Sequence, residues 1–354
     1  MPNPKPNCQE LTNLLSALKN LKPEFDLAHQ EALVSHDLTK IRELKKQVES
    51  KIKELEAKMD PYNIELRKKL AKENGFGFVG NFHDGWAKVE KDGRCFYVDQ
   101  TGKAINGEKY DEAEDFSEGL ACVYRSYEYF YIDSAGERIN SERYESAGTF
   151  HEGLAWVKKN GKYSYIDPTG KIAFSAKYDE AEDFSEGLAS VGKDRTYVRA
   201  YRYINRTGKR INSKTYDSAG DFHEGLAWVL KNEDFFYIDQ TGKQTISEKY
   251  DNANDFSEGL ALVEKDDESF YIDHTGKIVI SEKYDEAGGF SEGLARVEKD
   301  REWFYIDRTG KQAISEKYDT ARDFSEGLAI VGKNGKPFYI DHTGRKIFDD
   351  EPYF

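Results

Sequence analysis

The string DEAEDFSEGLA stands at residues 111–121 and again, letter for letter, at 179–189. Chance does not repeat eleven letters in 354 residues, so the segment was copied, or each copy meets the same physical demand. Phenylalanines at 82, 116, 150, 184, 222, 256, 290 and 324 each stand shortly before an acid-glycine pair, and successive ones are 34, 34, 34, 38, 34, 34 and 34 residues apart. A fixed period of this size is the signature of stacked or ring-closed structural repeats, and it makes eight units.

Aligned on that phenylalanine, each unit reads F-x-(E/D)-G-(L/W)-A-x-V, then a variable polar connection, then Tyr-(Ile/Val)-(Asp/Asn)-x-(Thr/Ala)-Gly and a closing Tyr or Phe segment. Side chains alternate along a strand, so the Ala and Val, two apart, face the same side and half-bury the first long strand. In Asp-x-Thr-Gly the aspartate can accept a hydrogen bond from the N–H two residues on, and glycine supplies positive φ, so the segment predicts a tight hairpin turn. One carboxylate per turn is too few for calcium.

Three or four short strands cannot bury their faces alone, so every copy must present the same packing surface to its neighbours. Residues 138–157 echo 210–229, which indicates copying in pairs, and the fourth unit carries four extra residues within RTYVRAYRY, 195–203. If symmetry defines the scaffold, a unique site belongs where symmetry fails. Three departures stand out: Arg195, Tyr197, Arg199, Tyr201 and Arg202 in the insertion; the run YRSYEYFY at 124–131; and Trp156 and Trp228 at a variable strand position. Arg, Tyr and Trp are the residue types of binding hot spots.

Two arrangements satisfy eight such units. The repeat region opens with the closing segment of a unit and ends on a hairpin, as in a ring shut by joining first and last strands, and a solenoid capped by the helical region would tolerate it equally. The Asp-x-Thr-Gly-Lys turn is similar to the hairpin of quinoprotein-type propeller blades, so an eight-bladed β-propeller is favoured, with an open β-solenoid as the alternative. Through Phe-Ser-Glu-Gly-Leu-Ala, Tyr-Ile-Asp-x-Thr-Gly-Lys and Lys-Tyr-Asp-x-Ala, residues 75–348 resemble the bacterial WG-repeat (KWG-repeat) family. The resemblance implies a β-repeat, propeller-like, with a binding role and no catalytic residues. The Trp-Gly pair that names the family is missing: the pairs before the Tyr are CF, YF, YS, YR, FF, SF, WF and PF, and only Trp303 keeps the tryptophan.

Residues 1–74 have a different grammar. Leu38, Ile41, Leu44, Val48, Ile52, Leu55 and Met59 form one helical stripe, capped by Asp37 and stopped near Pro61, with an earlier stretch from Leu11 to Leu21 as antiparallel partner. The expectation is a helical hairpin or short coiled coil, which packs or makes a homodimer, ahead of a repeat domain at 75–354. Net charge is −14, and beyond residue 75 it is −16 (38 Lys+Arg against 54 Asp+Glu), which repels phosphate backbones and argues against a nucleic-acid partner. No stretch reaches 18 apolar residues, and three cysteines without metal spacing suit a reducing compartment, so the expected location is cytoplasmic without membrane insertion. The histidines recur at equivalent positions of separate units and the glutamates before glycine share one repeated environment, so neither gives a metal site, a cofactor site or an acid pair for hydrolysis. The functional expectation is a non-enzymatic scaffold for a protein or peptide partner; the alternative is a lectin-like module for glycans or cell-wall polymers.

Overall fold

A short strand, a tight turn and a two-strand hairpin recur eight times in the computed structural model, which describes residues 66–195, 198–325 and 327–347. The helical stripe at 38–59 and its partner at 11–21 lie outside those residues. In the fifth unit the strands are Ser218–Ala219, Leu226–Lys231 and Asp234–Asp239, all antiparallel and in sequence order. Ala227 and Val229, the pair whose spacing predicted a half-buried strand, are 1% and 0% exposed. A fourth segment touches the third strand at two points, Phe235 with Tyr250 and Ile238 with Gln244. Only in the sixth unit does this segment make a strand, Ile278–Ile280, so among the described residues seven sheets have three strands and one has four. The fourth unit's extra residues lengthen one hairpin, Leu188–Arg195 with Val198–Asn205.

The turns explain much of the repeated spelling. Asp307 Oδ1 accepts from the Thr309 N–H (2.8 Å), the Thr309 hydroxyl (2.6 Å) and the Lys311 N–H (3.2 Å), closing the expected Asp-x-Thr-Gly turn. The Thr309 hydrogen bond holds the Asp307 carboxyl below its usual range. The Glu-Gly turn uses its side chain differently. Both residues have positive φ (Glu258 56°, Gly259 87°), as a two-residue hairpin loop requires, yet glutamate gains nothing locally from that conformation. Its carboxylate reaches forward instead: Glu258 accepts from the Gly293 N–H at 2.7 Å, and Asp84, Glu118, Glu152, Glu186, Glu224 and Glu292 do the same one unit on. The repeated acid is a clasp between units.

The core lies between units. Tyr237 (0% exposed) stands edge-on to Phe256 of the next unit, ring centroids 4.9 Å apart, and its hydroxyl donates to the Asn254 carbonyl at 2.6 Å. The same tyrosine-to-next-unit pair recurs from Tyr97–Phe116 to Tyr305–Phe324. Tyr237→Phe should therefore cost about 1–2 kcal/mol, because the Asn254 carbonyl loses its donor. By contrast Tyr250 (2% exposed) buries a hydroxyl with no partner among the described residues, so Tyr250→Phe should be neutral or stabilising. Urea denaturation of the two variants checks this; equal losses would contradict it.

Helix 66–74 packs on the first unit. Its Leu66, Leu70 and Ala71 lie against Val79, Ala87, Val89 and Val98. Buried Arg67 donates through Nε to the Val79 carbonyl at 2.9 Å. The described residues hold no helix long and apolar enough to cross a membrane.

Candidate binding face

In each unit two residues stand directly before the phenylalanine, next to the short first strand, that the core does not use. The earlier of the two runs Gly80, Glu114, Gly148, Glu182, Gly220, Asn254, Gly288, Arg322, and beside it on the second strand stand Lys88, Cys122, Trp156, Ser190, Trp228, Leu262, Arg296 and Ile330. The two series are complementary. Where the first is glycine the second is Lys, Trp or Arg; where the first is large the second is Cys, Ser, Leu or Ile. The cause is steric: a Cβ at Gly148 would stand 2.4 Å from Trp156 Nε1, and at Gly220, 2.3 Å from Trp228 Nε1. Odd and even units thus fill one space in opposite ways, which is why the chain was copied in pairs.

The large residue of an odd unit reaches the aspartate of the next even unit. The Trp156 and Trp228 indoles lie against the Asp183 and Asp255 carboxylates, while Arg296 Nε donates to Asp323 Oδ1 at 2.8 Å. Histidines just after the phenylalanine approach the same acids: His83 to Asp115 at 3.6 Å, His151 to Asp183 at 3.5 Å, His223 to Asp255 at 3.6 Å. The two turn histidines, His274 and His342, each approach a clasp glutamate at 3.1 Å and stack on Phe256 and Phe324.

Between units four and six the acids crowd. Burial pushes the carboxyls of Asp183, Asp221, Asp255 and Glu182 above the usual range, with mutual repulsion adding to it for Asp183, Asp255 and Glu182. A carboxyl whose pKa is raised by folding makes stability fall as pH climbs from the unfolded value, about 3.9 for Asp, through the folded one. Asp221→Asn should therefore raise Tm at pH 7, and the gain should shrink as pH is lowered toward about 4. Thermal melts across that range check it; a Tm at pH 7 no higher than that of the parent chain contradicts it.

The buried columns repeat from unit to unit, and so do the two turns. A profile described as "WG containing repeat" matches residues 96–125, 129–163, 163–197, 201–233, 235–268, 270–303 and 303–336. The chain belongs to the WG repeat family. No curated protein matches it in sequence. Among solved structures it is similar to one described as "Crystal structure of the eukaryotic initiation factor", at a TM-score of 0.53 and 12% identity over 75% of this chain and 85% of that one, a likeness of fold alone. Hsv2 of Kluyveromyces lactis follows at a TM-score of 0.35 and 9% identity, over 70% of this chain and 86% of that one. In these WG repeats the slot of the missing glycine is filled by an aromatic ring in six units. That ring packs edge-on against the closing tyrosine of the preceding unit, as Phe130 does on Tyr110 at 6.0 Å and Phe338 on Tyr318 at 6.3 Å.

The same slot accounts for one residue of the insertion. Arg202 is 4% exposed and occupies the glycine slot of the fourth WG repeat, close enough to Tyr178 to lower the proton affinity that burial raises. Tyr201, half-buried, donates its hydroxyl to the Glu180 carboxylate. Arg195 and Arg199 belong to the extended hairpin, Arg195 paired with Val198 and Arg199 with Asp194, and Tyr197 lies outside the described residues. Trp156 and Trp228 occupy equivalent half-buried places two units apart, as their shared alignment column required. In the YRSYEYFY run, Phe130 and Tyr131 are core, and Tyr127 at a hairpin tip is 89% exposed. One more departure lies in the same two columns as the tryptophans: Lys88 in the first unit and Arg322 in the eighth, which the fold brings to one junction. Its signal in the chain is the alternation of large and small residues between odd and even units, which shows only when the two columns are set side by side.

Proposed function

We propose that the eight WG repeats close into a ring, an eight-bladed propeller, that serves as a non-enzymatic scaffold for a protein or peptide partner. Closure is supported where the first and last units share residues around one cavity: Phe78, Gly80 and Lys88 from the first, Leu328, Ile330 and Tyr339 from the last. Tyr339 is the counterpart of Tyr305, which donates to Arg322 of the next unit, and Gly80 is the counterpart of Arg322. Eight units about 10 Å apart in an open stack would hold those residues far apart.

The observation that carries the binding role is the variety of two adjoining columns beside a repeated core. Core columns repeat Ala, Val, Tyr and Phe, while the column two before the phenylalanine and its neighbour on the second strand range over Gly, Glu, Asn, Arg, Lys, Cys, Trp, Ser, Leu and Ile. Packing explains the first set and only the complementarity of the second. A partner with basic segments fits a chain of net charge −14. The test replaces Leu262 and Arg296 by serine and, separately, Tyr127. Capture of one partner at one copy per chain, lost with the first pair and kept with Tyr127→Ser, supports the reading. Glycan binding above one copy per chain would favour the lectin reading, and polysaccharide hydrolysis would overturn the non-enzymatic one.

A further inference from the structure

The cavity shared by the first and last units has a volume of about 370 Å³, within the range of small-ligand sites. Its charges are unlike those elsewhere on the face. Lys88 and Arg322 both line it, and neither side chain makes an ion pair or hydrogen bond among the described residues. In the columns these residues occupy, the second and fourth units have Glu114 and Glu182 where the eighth has Arg322, and the third and fifth have Trp156 and Trp228 where the first has Lys88; the other cation there, Arg296, is paired with Asp323. An acidic chain has thus placed two uncommitted cations at one junction, beside the buried guanidinium of Arg67.

The remaining walls define the body of a ligand. Phe78, Leu328, Ile330 and Tyr339 are apolar or aromatic, and burial pushes the Tyr339 hydroxyl up to about 12 even with Arg67 nearby. Asp115 and Asp323 also face the cavity; Asp323 is held by Arg296, and Asp115 keeps a buried Oδ1 without a partner among the described residues. That negative charge disfavours a dianion such as a phosphate ester and leaves room for a single negative charge.

We propose that this junction binds a carboxylate carried on an apolar body, with Arg322 and Lys88 taking the carboxylate and the Phe78, Ile330 and Tyr339 side taking the carbon. The chemistry has two sources, a free organic acid or the C-terminal residue of a peptide. The second would make the junction part of the partner-binding role, and so rests on that reading; the first would be independent of it.

The test uses the full chain and calorimetric titration of four probes: 3-phenylpropionate, its amide, and an acetylated pentapeptide ending in Phe as free acid and as C-terminal amide. Either acid should bind, its amide about tenfold or more weaker, and Arg322→Glu should weaken the acid by about the same factor. Glu114 and Glu182 occupy the equivalent position, so this variant is expected to fold, which circular dichroism confirms. Tighter binding of the peptide acid assigns the site to a partner's C-terminus, and tighter binding of phenylpropionate assigns it to a free acid. Equal binding of acid and amide, no change with Arg322→Glu, or no saturation by any probe up to about 10 mM overturns the proposal.

Discussion

Replacing Phe222 by alanine is expected to cost about 3–5 kcal/mol, the range for emptying an aromatic side chain from a close-packed core. Phe222 is 0% exposed and packs with Leu188, Tyr203, Ala227, Val229 and Ile238, so the cavity opens between two units. Its ring is edge-on to Tyr203 at 4.8 Å, a contact with its own geometric preference. Because each unit completes its core with residues of the one before, the loss should register in the stability of both neighbours. Tyr127→Ala, at a position 89% exposed, should stay within about 0.5 kcal/mol of the parent. Denaturant midpoints decide; a loss at Phe222 no larger than at Tyr127 would mean that the inter-unit core is wrongly placed.

The second large effect concerns the alternation of odd and even units. Gly220→Glu should destabilise by about 1–3 kcal/mol, because the added side chain meets the Trp228 indole. Its Cβ alone would stand 2.3 Å from Trp228 Nε1. Adding Trp228→Ser recreates the Glu182 and Ser190 combination that the fourth unit already folds with. The double variant should therefore cost less than the sum of the two single ones by at least about 1 kcal/mol. Simple additivity would show that the two columns do not share one space, and copying in pairs would then need a cause other than steric fit.

The regular unit was legible from the chain because its cause is local. Ala227 and Val229 are two apart and both buried, and the Asp-x-Thr-Gly letters are a turn that folds by its own hydrogen bonds. What escaped reading acts across units. Glu258 stands in a turn, yet the partner of its carboxylate is the Gly293 N–H, 35 residues on. The phenylalanine in the glycine slot, as at Phe130, adds core against Tyr110 of the unit before. Arg202 falls within the insertion, where arginine is usually wet; its place in the slot column, which puts it inside, shows only when the fourth unit is aligned past its four extra residues. The stripe from Leu38 to Met59 had a clear helical period, and its residues lie outside those described.

Eight equivalent units whose last member meets the first is the claim on which the face, the junction and the proposed role depend. Glu90 and Ser325 are exposed, close in sequence to Lys88 and Arg322, and can carry spin labels as cysteines once Cys8, Cys95 and Cys122 are replaced by serine. Pulsed electron paramagnetic resonance on that chain should give a single distance under about 30 Å if the ends meet, a few sheet spacings at most. A distance on the order of 70 Å, the span of eight sheets stacked about 10 Å apart, would contradict closure.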